Sequence, residues 1–89
     1  MRKHAKVDLN QVEIVAAIRK AGGRVLHLHQ LGGGCADTLV MYHGVLLLME
    51  IKSKGGRMTP DEQAFYNEWQ ECMVVVYSAE EALEAIARL

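Results

Sequence analysis

The stretch Val45-Leu-Leu-Leu-Met-Glu50-Ile51 constrains this chain more than any other. A nearly unbroken apolar run of this kind belongs to a central strand covered on both faces. Glu50 interrupts it. A buried charge is expensive unless it is paired or coordinated, so the fold must give Glu50 a reason to be there. Lys52 has the same parity along the strand and points to the same face as Glu50.

The strand before it supplies a second acid. Residues 36–43 and 45–52 read as an antiparallel hairpin joined near His43-Gly44. If those two residues form the turn, Tyr42 pairs with Val45 and Asp37 falls directly opposite Glu50. Their Cβ atoms would then lie roughly 4.5–5.5 Å apart on one face. A turn shifted by one residue would offset this register.

The rest of the chain gives the frame. Residues 8–21 read as a helix capped by Asp8 or Asn10, with Ile14, Ala17, Ile18 and Ala21 on one stripe and Gly22-Gly23 as its stop. Residues 24–29 read as a strand carrying His27 and His29 on a shared face. Gly32-Gly33-Gly34 is a loop that can approach a ligand closely. Thr59, Pro60 and Glu62 form a strong helix start with a capping box, followed by Phe65, Trp69 and Cys72 on one side. Met73–Tyr77 is a further buried strand. Ser78 with Glu81 forms a second capping box, opening a helix with Leu83, Ile86 and Ala87 inward. The order is α-β-β-β-α-β-α, an α/β mixed sheet with helices packed on it.

Bulk properties set limits. Residues 1–89 make one domain, and a hydrophobic content of 51% permits a real core. No apolar run approaches the roughly 18 residues that span a membrane, so a cytoplasmic protein is expected. Cys35 and Cys72 lack metal-ligand spacing and read as reduced thiols. The net charge of −1 conceals an asymmetry: residues 1–57 hold nine Lys/Arg against four acids, and residues 58–89 hold one against seven. A polyanionic partner therefore suits the first part of the chain.

Two carboxylates face to face destabilise a sheet, and a hard divalent cation resolves the conflict. Mg²⁺ or Mn²⁺ at Asp37 and Glu50 would polarise a scissile phosphate and acidify a water, with Lys52 orienting that water. The bland alternative is a structural ion pair at a strand end. Lys54 and Arg57, flanking Gly55-Gly56, are the best candidates for phosphate contacts, and His29 beside the glycine loop is another. Arg2, Lys3 and Lys6 form either a basic arm or a frayed terminus.

Gly33-Gly34-Cys35-Ala36-Asp37, Glu50-Ile51-Lys52 and Thr59-Pro60-Asp61-Glu62-Gln63 together resemble the VRR-Nuc branch of the PD-(D/E)XK nuclease superfamily, in particular its stand-alone, phage-type members. The resemblance runs from about Gln11 to Ala85. It implies a restriction-endonuclease-like sheet and catalytic roles for Asp37, Glu50 and Lys52, with the Ile51 carbonyl completing the metal shell. It also implies supporting roles for Glu13, at the edge of the first helix's apolar stripe, and for Gln63, placed to hydrogen-bond the lysine or a phosphate. Gly33 and Gly34 would lie against the nucleic acid. One departure is Ala36, which stands where the family usually has proline. The family implies a homodimeric endonuclease, phage-encoded or bacterial, acting on branched DNA such as four-way (Holliday) junctions or flaps without a nucleotide cofactor. A non-catalytic homodimeric DNA-binding module on the same fold is the alternative.

Overall fold

The computed structural model, which describes residues 9–89, has the element order expected from the sequence. The elements are α1 (Leu9–Lys20), β1 (Arg24–His27), β2 (Thr38–Tyr42), β3 (Val45–Ile51), α2 (Pro60–Trp69), β4 (Met73–Val76) and α3 (Ala79–Ala87). Arg2, Lys3, Lys6 and the candidate cap Asp8 lie outside the described residues. The four strands form one mixed sheet in the order β1-β2-β3-β4, with β4 parallel to β3 and the other neighbours antiparallel. The parallel pair needs a crossover, and α2 supplies it. No helix among the described residues is long and apolar enough to cross a membrane.

The hairpin turn is the two-residue one. His43 and Gly44 take φ values of 51° and 81°, the left-handed pair that a tight hairpin requires. Tyr42 pairs with Val45, and the register runs on to Thr38 opposite Met49. One further step puts Asp37 opposite Glu50.

The two faces of the sheet differ. Val40, Met49, Ile51 and Val76 pack with Ile14 and Ile18 of α1 and Ala82 and Ile86 of α3 into the buried core. The other face carries Leu26, Leu39, Met41, Leu46 and Leu48, and at its end Glu50 and Lys52. Coverage on both faces therefore holds only for the end of β3. Leu46 is 59% exposed and Leu26 58% exposed. The reason is α2: it has ten residues, none of them buried, and it meets the sheet at the end that carries Lys52.

Several sequence expectations need correction. The first strand stops at His27, because Leu28 turns the chain (φ −115°, ψ 5°) into a 3-10 turn over His29–Leu31. His27 and His29 therefore do not share a strand, although their rings stay edge to face at 6.1 Å. Asn10 is inside α1 and is no cap; its side chain donates to the carbonyls of Lys52 (2.8 Å) and Tyr77 (3.1 Å). Ala21 is exposed, since α1 ends before it. α2 stops at Trp69 and a 3-10 turn follows, so Cys72 is exposed while Phe65 and Trp69 stack on each other. In α3 it is Ala82 and Ile86 that are buried; Leu83 and Ala87 face outward. Ser78 accepts from Glu81 N–H as expected, but the Glu81 carboxylate reaches back to Tyr77 N–H (2.7 Å) instead of closing the box on Ser78.

Candidate active site

Three elements bring the site together. The end of β3 supplies Glu50 and Ile51 and the residue after it Lys52, the residue before β2 supplies Asp37, and the first turn of α2 supplies Glu62.

Asp37 is fixed twice. Its carbonyl accepts from Leu28 N–H at 2.8 Å, which extends the β1–β2 pairing past the end of the strands. Its Oδ2 accepts from Ile51 N–H at 2.8 Å. Next to it, the Thr38 hydroxyl donates to the Met49 carbonyl at 2.9 Å and pins the same junction. Burial pushes the Asp37 carboxyl above its usual range, against the pull of the Ile51 amide and of Lys52.

Glu50 is the anomalous residue. It is 0% exposed, and neither of its carboxylate oxygens has a hydrogen-bond partner. The Lys52 ammonium lies 3.2 Å from Oε2, close enough for an ion pair but without hydrogen-bond alignment. Burial, and then the charge on Asp37, raise the Glu50 carboxyl to about 7.

Lys52 makes its shorter contact elsewhere. Nζ donates to Glu62 Oε1 at 2.7 Å. Burial alone would lower its affinity for the proton, but the hydrogen bond to Glu62 and the ion pair with Glu50 outweigh that and hold the ammonium above its usual range. Glu62 is lowered in turn: burial opposes its ionisation, but Lys52 and the Thr59 N–H stabilise the carboxylate more. The Lys52 backbone is held by Asn10 on its carbonyl and by its own N–H donating to the Val76 carbonyl at 3.0 Å.

No protein family, curated protein or solved structure matches the chain. The site must therefore be judged on its own geometry.

The glycine loop is part of that geometry. Gly34 (φ +80°) lies so close to the Asp61 carbonyl and the Glu62 amide that a Cβ there would collide with backbone. The loop before Asp37 is thus seated on the turn of α2 that carries Glu62. Gly33 (φ +65°) is open to solvent. His29 is exposed, and its imidazole lies near enough to Asp37 to favour ionisation of that acid when the ring is protonated.

The remaining candidates are more distant. Lys54 and Arg57 are exposed in the loop after β3. Gln63 is exposed and donates to Asn67 at 2.9 Å; the lysine contact expected of it is made by its neighbour Glu62. Glu13 is exposed on α1, and no hydrogen bond or ion pair among the described residues joins it to the two acids. Asp37 and Glu50 are the side-chain oxygens the site can offer a cation, and among the described residues no three His, Cys, Asp or Glu side chains form a group that could hold one.

Two residues of the site, Glu62 and Asn10, are not announced as such by the sequence. Glu62 was legible only as half of a capping box, and nothing in the spacing tells that the same oxygen also serves Lys52. Asn10 carried the signal of a cap, which its position inside α1 overrides.

Proposed function

We propose that this chain is a divalent-metal-dependent nuclease that hydrolyses phosphodiester bonds in DNA at Asp37, Glu50 and Lys52. The observation that carries the proposal is Glu50, a fully buried carboxylate with both oxygens lacking a hydrogen-bond partner, beside a second carboxylate. The Lys52 ammonium pairs with Glu50 at 3.2 Å but leaves both of its oxygens without an aligned hydrogen bond, an incomplete shell for a buried charge. Lys52 instead aligns with Glu62. The donor set suits a hard cation that takes one or two carboxylates and keeps its other positions for water and phosphate. Asp37, Glu50 and the Ile51 carbonyl would hold Mg²⁺ or Mn²⁺, which when bound would supply Lewis acidity toward a phosphate oxygen and a water.

The side chains have distinct tasks. Lys52 stays protonated at neutral pH, so it acts as a cationic donor to a phosphate oxygen or a water and not as a general base. Asp37 is oriented by the Ile51 amide and keeps its carboxylate beside Glu50. Lys54, Arg57 and His29, all exposed, are suited to sugar-phosphate contacts, which position DNA without reading its sequence. The open backbone at Gly33 allows close approach of a strand, whereas Gly34, also a candidate contact, is seated against the first turn of α2. Gln63 and Glu13 are assigned supporting roles on the resemblance to VRR-Nuc nucleases alone, as are branched DNA as substrate and a phage or bacterial source. The exposed Leu26 and Leu46 support a homodimer, since an apolar face of this kind favours association.

The test is an incubation of the protein with a four-way junction, a flap and a plain duplex in Mg²⁺ or Mn²⁺, with sedimentation reporting its oligomeric state. Cleavage of a branched substrate that is lost in Lys52→Ala supports the reading. No cleavage of any substrate, with Lys52→Ala binding DNA as the wild type does, would leave a non-catalytic DNA-binding module.

A further inference from the structure

Glu62 has two partners on one oxygen, and only one of them is explained by the helix. In a capping box the glutamate side chain returns to the backbone amide of the cap, and Oε1 does so, accepting from Thr59 N–H at 2.9 Å. The box is complete with that bond and the one from Glu62 N–H to the Thr59 hydroxyl at 3.2 Å. Nothing in helix capping requires a lysine. Yet the same Oε1 takes the Lys52 ammonium at 2.7 Å, shorter than the 3.2 Å from that ammonium to Glu50.

The arrangement holds Lys52 at both ends. Its carbonyl is bound by Asn10, its amide donates to Val76, and its tip is bound by a carboxylate that the helix start has already fixed in place. A lysine tip on a flexible four-carbon stem otherwise loses much rotamer freedom when it must be aimed. The turn bearing Glu62 is itself braced by the Gly34 backbone. Glu62 therefore gives Lys52 an anchor that stays when the oxygens of Glu50 are engaged by something else.

We infer that Glu62 is a positioning residue for Lys52, holding its ammonium at the site independently of Glu50. The inference rests on the nuclease reading for its consequence and on geometry for its content, so the two can fail separately. Glu62→Gln is the decisive variant. Glutamine serves in a capping box as glutamate does, so the helix start is kept while the charge that binds Lys52 is removed.

The first measurement is the NMR signal and order of the Lys52 side-chain ammonium in metal-free protein. We expect it ordered in the wild type and in Glu50→Gln, and lost in Glu62→Gln. An ammonium that stays ordered in Glu62→Gln, or that is already disordered in the wild type, overturns the inference. The second is cleavage of the best branched substrate. Glu62→Gln should lower kcat by about a hundredfold, the scale of a displaced catalytic group, with the protein still folded at the assay temperature. Ser78→Ala, which loses the cap hydroxyl of α3 and touches neither Glu62 nor Lys52, should lower the melting temperature and not kcat. Full activity in Glu62→Gln counts against the inference. A wild type that cleaves nothing counts against the nuclease reading, and the ammonium measurement then still decides whether Glu62 positions Lys52.

Discussion

The backbone N–H of Ile51 donates to Oδ2 of Asp37 at 2.8 Å, so the first acid of the site is bound to the strand that carries the second. The bond makes two substitutions at one position behave differently. Asp37→Asn keeps a side-chain oxygen for the amide, whereas Asp37→Ala leaves the amide part-buried and unpaired. An unsatisfied amide of this kind costs about 1–3 kcal/mol. Both variants should lose cleavage, but only Asp37→Ala should unfold at markedly lower urea concentration. Equal midpoints for the two would show that the bond contributes nothing to stability.

Glu50 should make the metal-free protein less stable as pH rises. Its carboxyl titrates near 7 when folded, against an ordinary value of 4.5. Between these values the folded chain keeps a proton that the unfolded chain has released. Stability is therefore favoured below the window and falls as pH climbs through it. The full effect is on the order of 3 kcal/mol. Asp37, also raised, adds the same sign from lower pH, and Glu62, which is lowered, has the opposite sign and weakens the fold only in acid. Urea unfolding at pH values from 5 to 8 should show the decline in the wild type and a flatter profile in Glu50→Gln.

The same carboxylates make stability respond to a divalent cation. A ligand that binds only the folded chain at 100 times its dissociation constant adds about 2.7 kcal/mol. Mn²⁺ at pH 8 should therefore raise the melting temperature, and a chelator should reverse the rise. Glu50→Gln should abolish the response, because one of the two acidic donors is gone. A rise of equal size in Glu50→Gln would place the cation elsewhere.

Much of this site is legible in the sequence, because its parts are local. The apolar run of β3 announces a strand whose coverage holds at its Glu50 end, and a two-residue turn at His43-Gly44 converts the spacing of Asp37 and Glu50 into a register. Thr59-Pro60 announces α2 for similar reasons of local chemistry. What the sequence hides is how far each helix reaches across the sheet. Periodicity gives α2 an apolar side in Phe65 and Trp69, but not that its first turn reaches Lys52 while Leu46 is left open. The lysine's partner is hidden for the same reason. Gln63 and Glu62 are adjacent, and only the angle at which α2 docks decides which of them faces Lys52.

The first turn of α2 is seated on Gly34. Its φ of +80° disfavours any residue with a side chain, and its position leaves no room for one against the Asp61 carbonyl and the Glu62 amide. Gly33 has a similar φ of +65° but open space around it. Alanine at Gly33 should therefore cost only the left-handed backbone, roughly 1–2 kcal/mol. Alanine at Gly34 bears that cost and must also push the first turn of α2 away, because backbone on an already capped helix cannot yield as a flexible side chain would. The displaced turn carries Glu62, so Gly34→Ala should lose stability and also free the Lys52 ammonium, while Gly33→Ala should lose stability alone. Paired urea unfolding and Lys52 ammonium NMR on the two variants test this. Equal behaviour of both in both measurements would mean that the loop does not brace the helix.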